Sequence, residues 1–291
     1  MNTLRVKNLV IIMLLVVNVV LGALILDNEN RYKLSNKQET AIRTILSQNS
    51  IGLYTLLPTD YTPKRMLQLQ PYTFDEEMLV QLLFQENAAV SKLDGTESSY
   101  TSGDTTLYVN GGHLVYVNPD GFIPAGQNQT PHSDARKLCD ALVGTLSTSQ
   151  IKFVMNEPTP VSNDGATVYE YRGRYNDWTL YSNYIKIRVT DAGITELSCY
   201  FTTPEGFTGE ARDMYSCDEA LLSLLGELKS IYGNMDSEII VITRMDVVYH
   251  LESAAQGNQN ALKAVPYYRI YTRMSPETPF LINAYNNNML R

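Results

Sequence analysis

The chain has little of what enzymatic chemistry usually draws on. Its three histidines, His113, His132 and His250, are scattered singly. Its three cysteines, Cys139, Cys199 and Cys217, are odd in number and lack CxxC spacing. This usage excludes a disulfide framework and a zinc site. It marks Cys139 and Cys199 as small buried apolar residues, with one bridged pair as the alternative in an oxidising compartment. HExxH, a nucleophile elbow and a P-loop are all absent, so no catalytic residue, cofactor-binding residue or metal ligand is assigned. Positive charge is also in short supply: 23 Lys and Arg stand against 31 Asp and Glu, a net charge of −8. That balance argues against nucleic acid as a partner and against docking on anionic lipid by a basic patch.

Charge is missing altogether from residues 8–26, NLVIIMLLVVNVVLGALIL. As a helix, residues 9–26 would span about 27 Å, close to the ~30 Å hydrocarbon core of a bilayer. A secretory signal has a shorter apolar region and a small-x-small cleavage site. Here Ala23 at −1 would place Leu21 at −3, Gly22 would place Val20 there, and no Cys follows the run. A retained single-pass anchor is therefore expected. Arg5 and Lys7 precede it, whereas Asp27 and Glu29 follow, so residues 1–8 are expected in the cytoplasm and everything from Asp27 outside the cell membrane. The outer part then carries 21 basic and 31 acidic residues, a balance of −10.

Within that run Asn18 and Gly22 are spaced i, i+4 and share a face with Ile11, Leu15 and Ile25. An amide in hydrocarbon seeks a hydrogen bond from another helix, and glycine lets backbones approach, which makes this stripe a candidate partner-contact face. Alternatively, a single Asn near mid-membrane is tolerated and Gly is common in such helices.

The remaining ~260 residues are enough to bury a core, and two α+β domains are expected, 27–130 and 131–291. A linker is expected at GQNQTPH, residues 126–132. Helix signals recur. Ser35 with Gln38, Thr73 with Glu76, and Ser216 with Glu219 each form a capping-box pattern. The apolar stripes are Ala41, Ile42, Ile45 and Leu46, then Met78, Leu79, Leu82 and Leu83, and last Leu221, Leu224, Leu225 and Leu228. Asp75-Glu76-Glu77 complements the dipole of a first helical turn. A further helix, SDARKLCDALVGTLS, presents Leu138, Ala141, Leu142 and Gly144. Strand signals fill the spaces between. TTLYVNGGHLVYVNPDG reads as a hairpin around Asn110-Gly111, with NPDG turning the chain again. Ile185, Ile187 and Val189 alternate with Lys186, Arg188 and Thr190, so one sheet face is buried and the other wet. Asp191-Ala192-Gly193 turns that strand into ITELSCYF, and three more strand candidates end the chain. Helices packed on antiparallel sheets are the natural architecture.

Outside the apolar run, the densest polar stretch is Glu170, Arg172, Arg174, Asp177 and Trp178. Arg172 and Arg174 alternate, so both can project from one strand face and receive an anion. The competing account is a solvated face laced with cross-strand ion pairs. Trp178, the only tryptophan, is either packing or an anchor for a protein contact. Arg172, Arg174 and Trp178 are the candidate ectodomain contacts.

The combination resembles the YycI/YycH group of bacterial two-component regulatory proteins, closer to the shorter YycI type. The resemblance is carried by KNLVIIMLLVVNVVL followed by ETAIRTILSQNSI, by YEYRGRYNDWTLYSNYIKIRVTDAGITEL, and by the ending VVYHL, VPYYRIYT and FLINAYNN. It runs over nearly the whole chain, though its motifs are structural. Tyr268 stands where a Trp is expected before Arg269, and residues 54–100 match poorly. The resemblance implies a non-enzymatic accessory protein, without a cofactor, anchored by one helix and facing outward. Its implied partners are the sensor histidine kinase of the cell envelope, WalK (YycG), a YycH-like paralogue, and the lipid bilayer. Regulation is implied to run chiefly through transmembrane helix contacts. The alternatives are an extracytoplasmic binding module for peptide or cell-wall polymer, using aromatic sheet faces such as Tyr169, Tyr171 and Tyr175, and third a hydrolase acting on the envelope.

Overall fold

The structure, a computed structural model, describes residues 7, 11–22, 31–84, 91–93, 98–123, 131–147, 151–155, 165–233, 240–252 and 262–290. In chain order the helices are α1 (described over residues 11–22), α2 (Asn36–Gln48), α3 (Glu76–Phe84), α4 (Pro131–Leu146) and α5 (Cys217–Tyr232). The strands are β1 (Ile51–Leu53), β2 (Lys64–Pro71), β3 (Ser91–Leu93), β4 (Ser98–Ser102), β5 (Thr105–Asn110), β6 (His113–Phe122) and β7 (Lys152–Met155). After them come β8 (Thr167–Tyr175), β9 (Trp178–Thr190), β10 (Gly193–Tyr200), β11 (Thr202–Arg212), β12 (Ile240–Leu251), β13 (Leu262–Thr272) and β14 (Ser275–Asn283). The protein is α+β with a large, mostly antiparallel sheet. It forms two compact units, one of Met1–Lys64, Arg212–Asp246 and Tyr268–Arg291, the other of Arg65–Ala211 and Val247–Tyr267.

In the first unit α2 begins at a complete capping box. The Ser35 Oγ accepts from the Gln38 N–H at 3.3 Å, and the Gln38 Oε1 accepts from the Ser35 N–H at 3.0 Å. Ile42 and Leu46 are its buried residues, whereas Ala41 and Ile45 lie outward. The helix packs on α5, whose Ala220, Leu221, Leu224, Leu225 and Leu228 are buried. Arg43 ties α2 to the chain after β1 by donating to the Leu53 carbonyl at 3.1 Å and the Thr55 carbonyl at 3.2 Å. Strand β1 pairs in parallel with the start of β12, Ile51 opposite Ile240. Arg269, almost wholly buried, forks onto Asp246 at 2.8 and 2.6 Å, the bidentate geometry that suits guanidinium to carboxylate.

The second unit is built on an antiparallel run in the order β8, β9, β10, β6, β5, β4. Ile185, Ile187 and Val189 of β9 are buried together with Leu197 and Cys199 of β10. Leu79, Leu83 and Phe84 of α3 and Cys139, Leu142, Val143 and Leu146 of α4 complete that core. The opposite face holds Lys186, Arg188 and Thr190, exposed or half-buried, as the alternation predicts. All three cysteines are free and buried. Burial pushes the Cys139 and Cys217 thiols up to about 12, so they behave as small apolar residues.

Several local expectations are corrected. Helix α3 is capped by Asp75, whose Oδ1 accepts from the Met78 N–H at 3.1 Å. Glu76 is drawn away from a box with Thr73 because it accepts from the Ser98 hydroxyl at 2.7 Å and from the Tyr100 hydroxyl. The hairpin loop is Gly111-Gly112, one residue later than expected, since Asn110 still pairs with His113. A side chain at Gly112 would meet the Phe201 carbonyl oxygen at 2.1 Å. NPDG does not reverse the chain. It lies inside β6 as an irregularity, with Val117 opposite Glu196 and Phe122 opposite Ile194. Asn118 holds it locally by accepting from the Asp120 N–H at 3.1 Å, and Gly121 supplies a φ of +79°. In α4 the packing stripe is Cys139, Leu142, Val143 and Leu146, with Ala141 and Gly144 exposed; the Leu138 side chain and most of the expected linker lie outside the described residues.

Residues 11–22 are helical, and their large apolar side chains are exposed on every side, from 44% for Val17 to 65% for Met13. Among the described residues no helix is long and apolar enough to cross a membrane. Residues 11–22 span only about 18 Å at the helical rise of ~1.5 Å per residue, and residues 8–10 and 23–26 of the run lie outside the described residues.

Candidate functional site

The polar face of the second unit's sheet carries a cavity of about 380 Å³ lined by Arg172, Tyr181, Ser182, Tyr184, Lys186, Tyr200, His250 and Leu251. Its floor follows from strand register. Arg172 of β8 lies opposite Tyr184 of β9, and Tyr184 lies opposite Tyr200 of β10. Residues directly opposite share a sheet face. Lys186, two along from Tyr184, stands on that face opposite Glu170.

The wall comes from a bulge. After Arg172 the pairing jumps, so that Gly173 lies opposite Leu180 and Tyr181, Ser182 and Asn183 are extra residues on β9. Gly173 permits the close approach: a Cβ there would stand 2.9 Å from the Asn183 Cβ and 3.0 Å from Ile151. Asn183, wholly buried, is fixed against Thr202 by three hydrogen bonds. Its Nδ2 donates to the Thr202 carbonyl at 2.8 Å, and its Oδ1 accepts from the Thr202 N–H at 3.1 Å and hydroxyl at 2.7 Å. The bulge brings Ser182 within 3.2 Å of the His250 Nδ1 and lets its Oγ accept from the Leu251 N–H at 2.9 Å.

Charge in the cavity is uneven. Arg172, mostly buried, donates to the Glu170 Oε1 at 2.5 Å and to the Tyr181 carbonyl at 2.5 Å, and its guanidinium carbon sits 3.9 Å from the centre of the Tyr181 ring. The Lys186 Nζ lies 3.6 Å from the other Glu170 oxygen. Two cations thus share one carboxylate. His250 adds no charge at neutral pH, because burial and then the Arg172 guanidinium lower its pKa to about 4. A serine beside a histidine is also the start of a nucleophile–base pair, but a base with a pKa near 4 is weak for that task.

Of the expected ectodomain contacts, Arg172 lines the cavity and the other two do not join it. Arg174 is exposed at the β8–β9 turn, where it donates to the Asp177 carbonyl at 2.9 Å. Asn176 and Asp177 both adopt positive φ there, making the tight reversal. Trp178 packs edge-on to Tyr249, ring centres 5.6 Å apart, against a cluster with Leu67, Leu69 and Leu180. Ile11, Leu15, Asn18 and Gly22 lie on the helical residues 11–22, the first three exposed, and Ile25 lies outside the described residues. Ser182, Tyr184, Lys186, Tyr200 and His250 were not singled out together by sequence reasoning; the alternation placing Lys186 on the wet face was the available signal. Among the described residues no group of three or more His, Cys, Asp or Glu is placed to hold a metal.

No family model matches the chain, and no curated protein matches it. Among solved structures it is similar to an uncharacterized protein from Eubacterium rectale ATCC 33656, at TM-score 0.52 and 12% identity over 82% of this chain and 89% of that one. It is also weakly similar to the Bacillus megaterium YpeB C-terminal domain, at TM-score 0.38 and 11% identity over 76% of this chain and 97% of that one. The first of these shows a shared fold.

Proposed function

We propose that the chain is a membrane-anchored accessory regulator of an envelope-sensing two-component histidine kinase, acting by transmembrane helix and ectodomain contacts. The observation that carries this is the uncharged run of residues 8–26, of which residues 11–22 form a helix with apolar side chains exposed all round. A helix that is apolar on every face suits lipid better than water. The flanks, with Arg5 and Lys7 before and Asp27 and Glu29 after, support a cytoplasmic N-terminus and an outward-facing bulk. The resemblance to the YycI/YycH group supplies the partners: a WalK-like kinase and a YycH-like paralogue. No enzymatic activity is part of this proposal.

In this scheme Asn18 hydrogen-bonds a kinase helix while Gly22 allows close approach, and together they bias that helix between two arrangements. Membrane side-chain hydrogen bonds average about 0.6 kcal/mol, so Asn18 alone shifts the population roughly threefold. Co-purification of the intact protein with a histidine kinase, reduced about that much by Asn18→Leu, is expected. Full retention of the kinase by the variant, or full regulation by an ectodomain released from its anchor, would contradict the helix-contact mechanism. The cavity favours a second function, an extracytoplasmic binding module for peptide or cell-wall polymer without kinase regulation. Direct binding to isolated wall material in a strain lacking the kinase effect would select it.

A further inference from the structure

We propose that the cavity on the polar face of β8–β10 binds the carboxylate of a small ligand through Arg172 and Lys186, with the rings of Tyr184 and Tyr200 beneath it. This goes beyond kinase regulation and does not depend on it.

Four features select the carboxylate. First, charge: among the described residues Arg172 and Lys186 face one acid, Glu170, at 2.5 and 3.6 Å, which leaves this group one positive charge in excess. A singly charged anion restores balance, whereas a doubly charged phosphate would stand against the Glu170 carboxylate, fixed and mostly buried. Second, geometry: the Arg172 Nε and Nη1 are committed to Glu170 and the Tyr181 carbonyl, and among the described residues Nη2 donates to no group. A charged N–H donor to spare makes a short, charge-assisted hydrogen bond to a carboxylate oxygen. Third, order: Arg172 is clamped by Glu170 beneath and the Tyr181 ring at 3.9 Å, so little entropy is lost when it binds. Lys186, half-exposed, is the adjustable second cation. Fourth, surroundings: the volume of about 380 Å³ and the tyrosine lining match a site that holds an apolar or amide body beside a charged end. An amino-acid-sized to dipeptide-sized ligand fits.

The carboxylate belongs to a peptide end or to a free small acid, and one titration separates them. The intact protein in detergent micelles is titrated with an N-acetylated dipeptide bearing a free C-terminus, with the same dipeptide as its C-terminal amide, with acetate and with inorganic phosphate. Binding is read by calorimetry and ligand-observed NMR. The free-acid dipeptide is expected to bind saturably. Amidation, and Lys186→Ala, are each expected to weaken it about tenfold, the loss of one charge-assisted contact. Arg172→Lys, which keeps the charge and removes the Nη2 donor, is expected to weaken it comparably. Lys186 is half-exposed, so its variant keeps the fold even if the Arg172 variant does not. Tighter binding of the dipeptide than of acetate assigns a peptide end; equal affinity assigns a free small acid. Equal binding of acid and amide, stronger binding of phosphate, indifference to Lys186→Ala, or no saturable binding of any probe at millimolar concentration would overturn the proposal.

Discussion

Burial and the Arg172 guanidinium both disfavour a charge on His250, and together they lower its pKa from the usual 6.5 to about 4. The consequence for stability has a definite sign. Between pH 6.5 and pH 4 the unfolded chain takes up a proton at this position and the folded protein does not, so stability falls as the pH is lowered through that window. Above pH 6.5 the contribution is complete. The loss reaches its full size, about 3 kcal/mol, below pH 4. Thermal unfolding of the intact protein across this range should fall more steeply for wild type than for His250→Gln, whose slope reports all the other titratable groups. Parallel slopes would mean that His250 titrates normally. Residue type and charge were legible in the sequence at this scale, but environment was not. His250 looked like one of three scattered histidines. It gains meaning only because Ser182, Tyr181 and Tyr267 surround it from distant segments.

Among the elements, those set by local pattern were the most legible. The Ser35–Gln38 box starts α2 as expected, Asp191-Ala192 turns β9 into β10 with Thr190 opposite Gly193, and Ile185, Ile187 and Val189 face the core. Where a side chain had a distant partner, local pattern failed. Glu76 left its expected box for Ser98 and Tyr100, and Asp75 took over the cap. Arg172 and Arg174 were expected on one face, yet residues 170–173 are all buried in a row, because the bulge in β9 opposite them interrupts the alternation. Asn183 holds that bulge through Thr202, a contact that no spacing in β8 reveals. The bulge also makes Gly173 the most sensitive small residue of the site. Adding one methyl in Gly173→Ala forces the Asn183 Cβ and Ile151 apart, at an expected cost of about 1–3 kcal/mol. Denaturant midpoints should record that loss, and the Arg172-dependent ligand binding should weaken with it. A variant as stable as wild type would show that β8 and β9 are less closely apposed than described.

For the whole molecule, composition and charge excluded more than they specified. A net charge of −8 argued against nucleic acid as a partner, and the α+β class followed from the alternation of helix and strand patterns. Which segments share a compact unit was not legible. The first unit draws on three separated stretches and the second on two, an interleaving fixed by long-range packing and invisible to periodicity. The central claim concerns the other end of the chain: residues 9–26 stay attached and hold the protein in the bilayer, so that the outer part modulates a partner. Measuring the intact mass of the mature protein from fractionated cells tests it most directly. A full-length species that sediments with membranes and needs detergent for release is predicted. A mature chain beginning beyond Leu26, recovered without detergent and still able to regulate, would contradict the account.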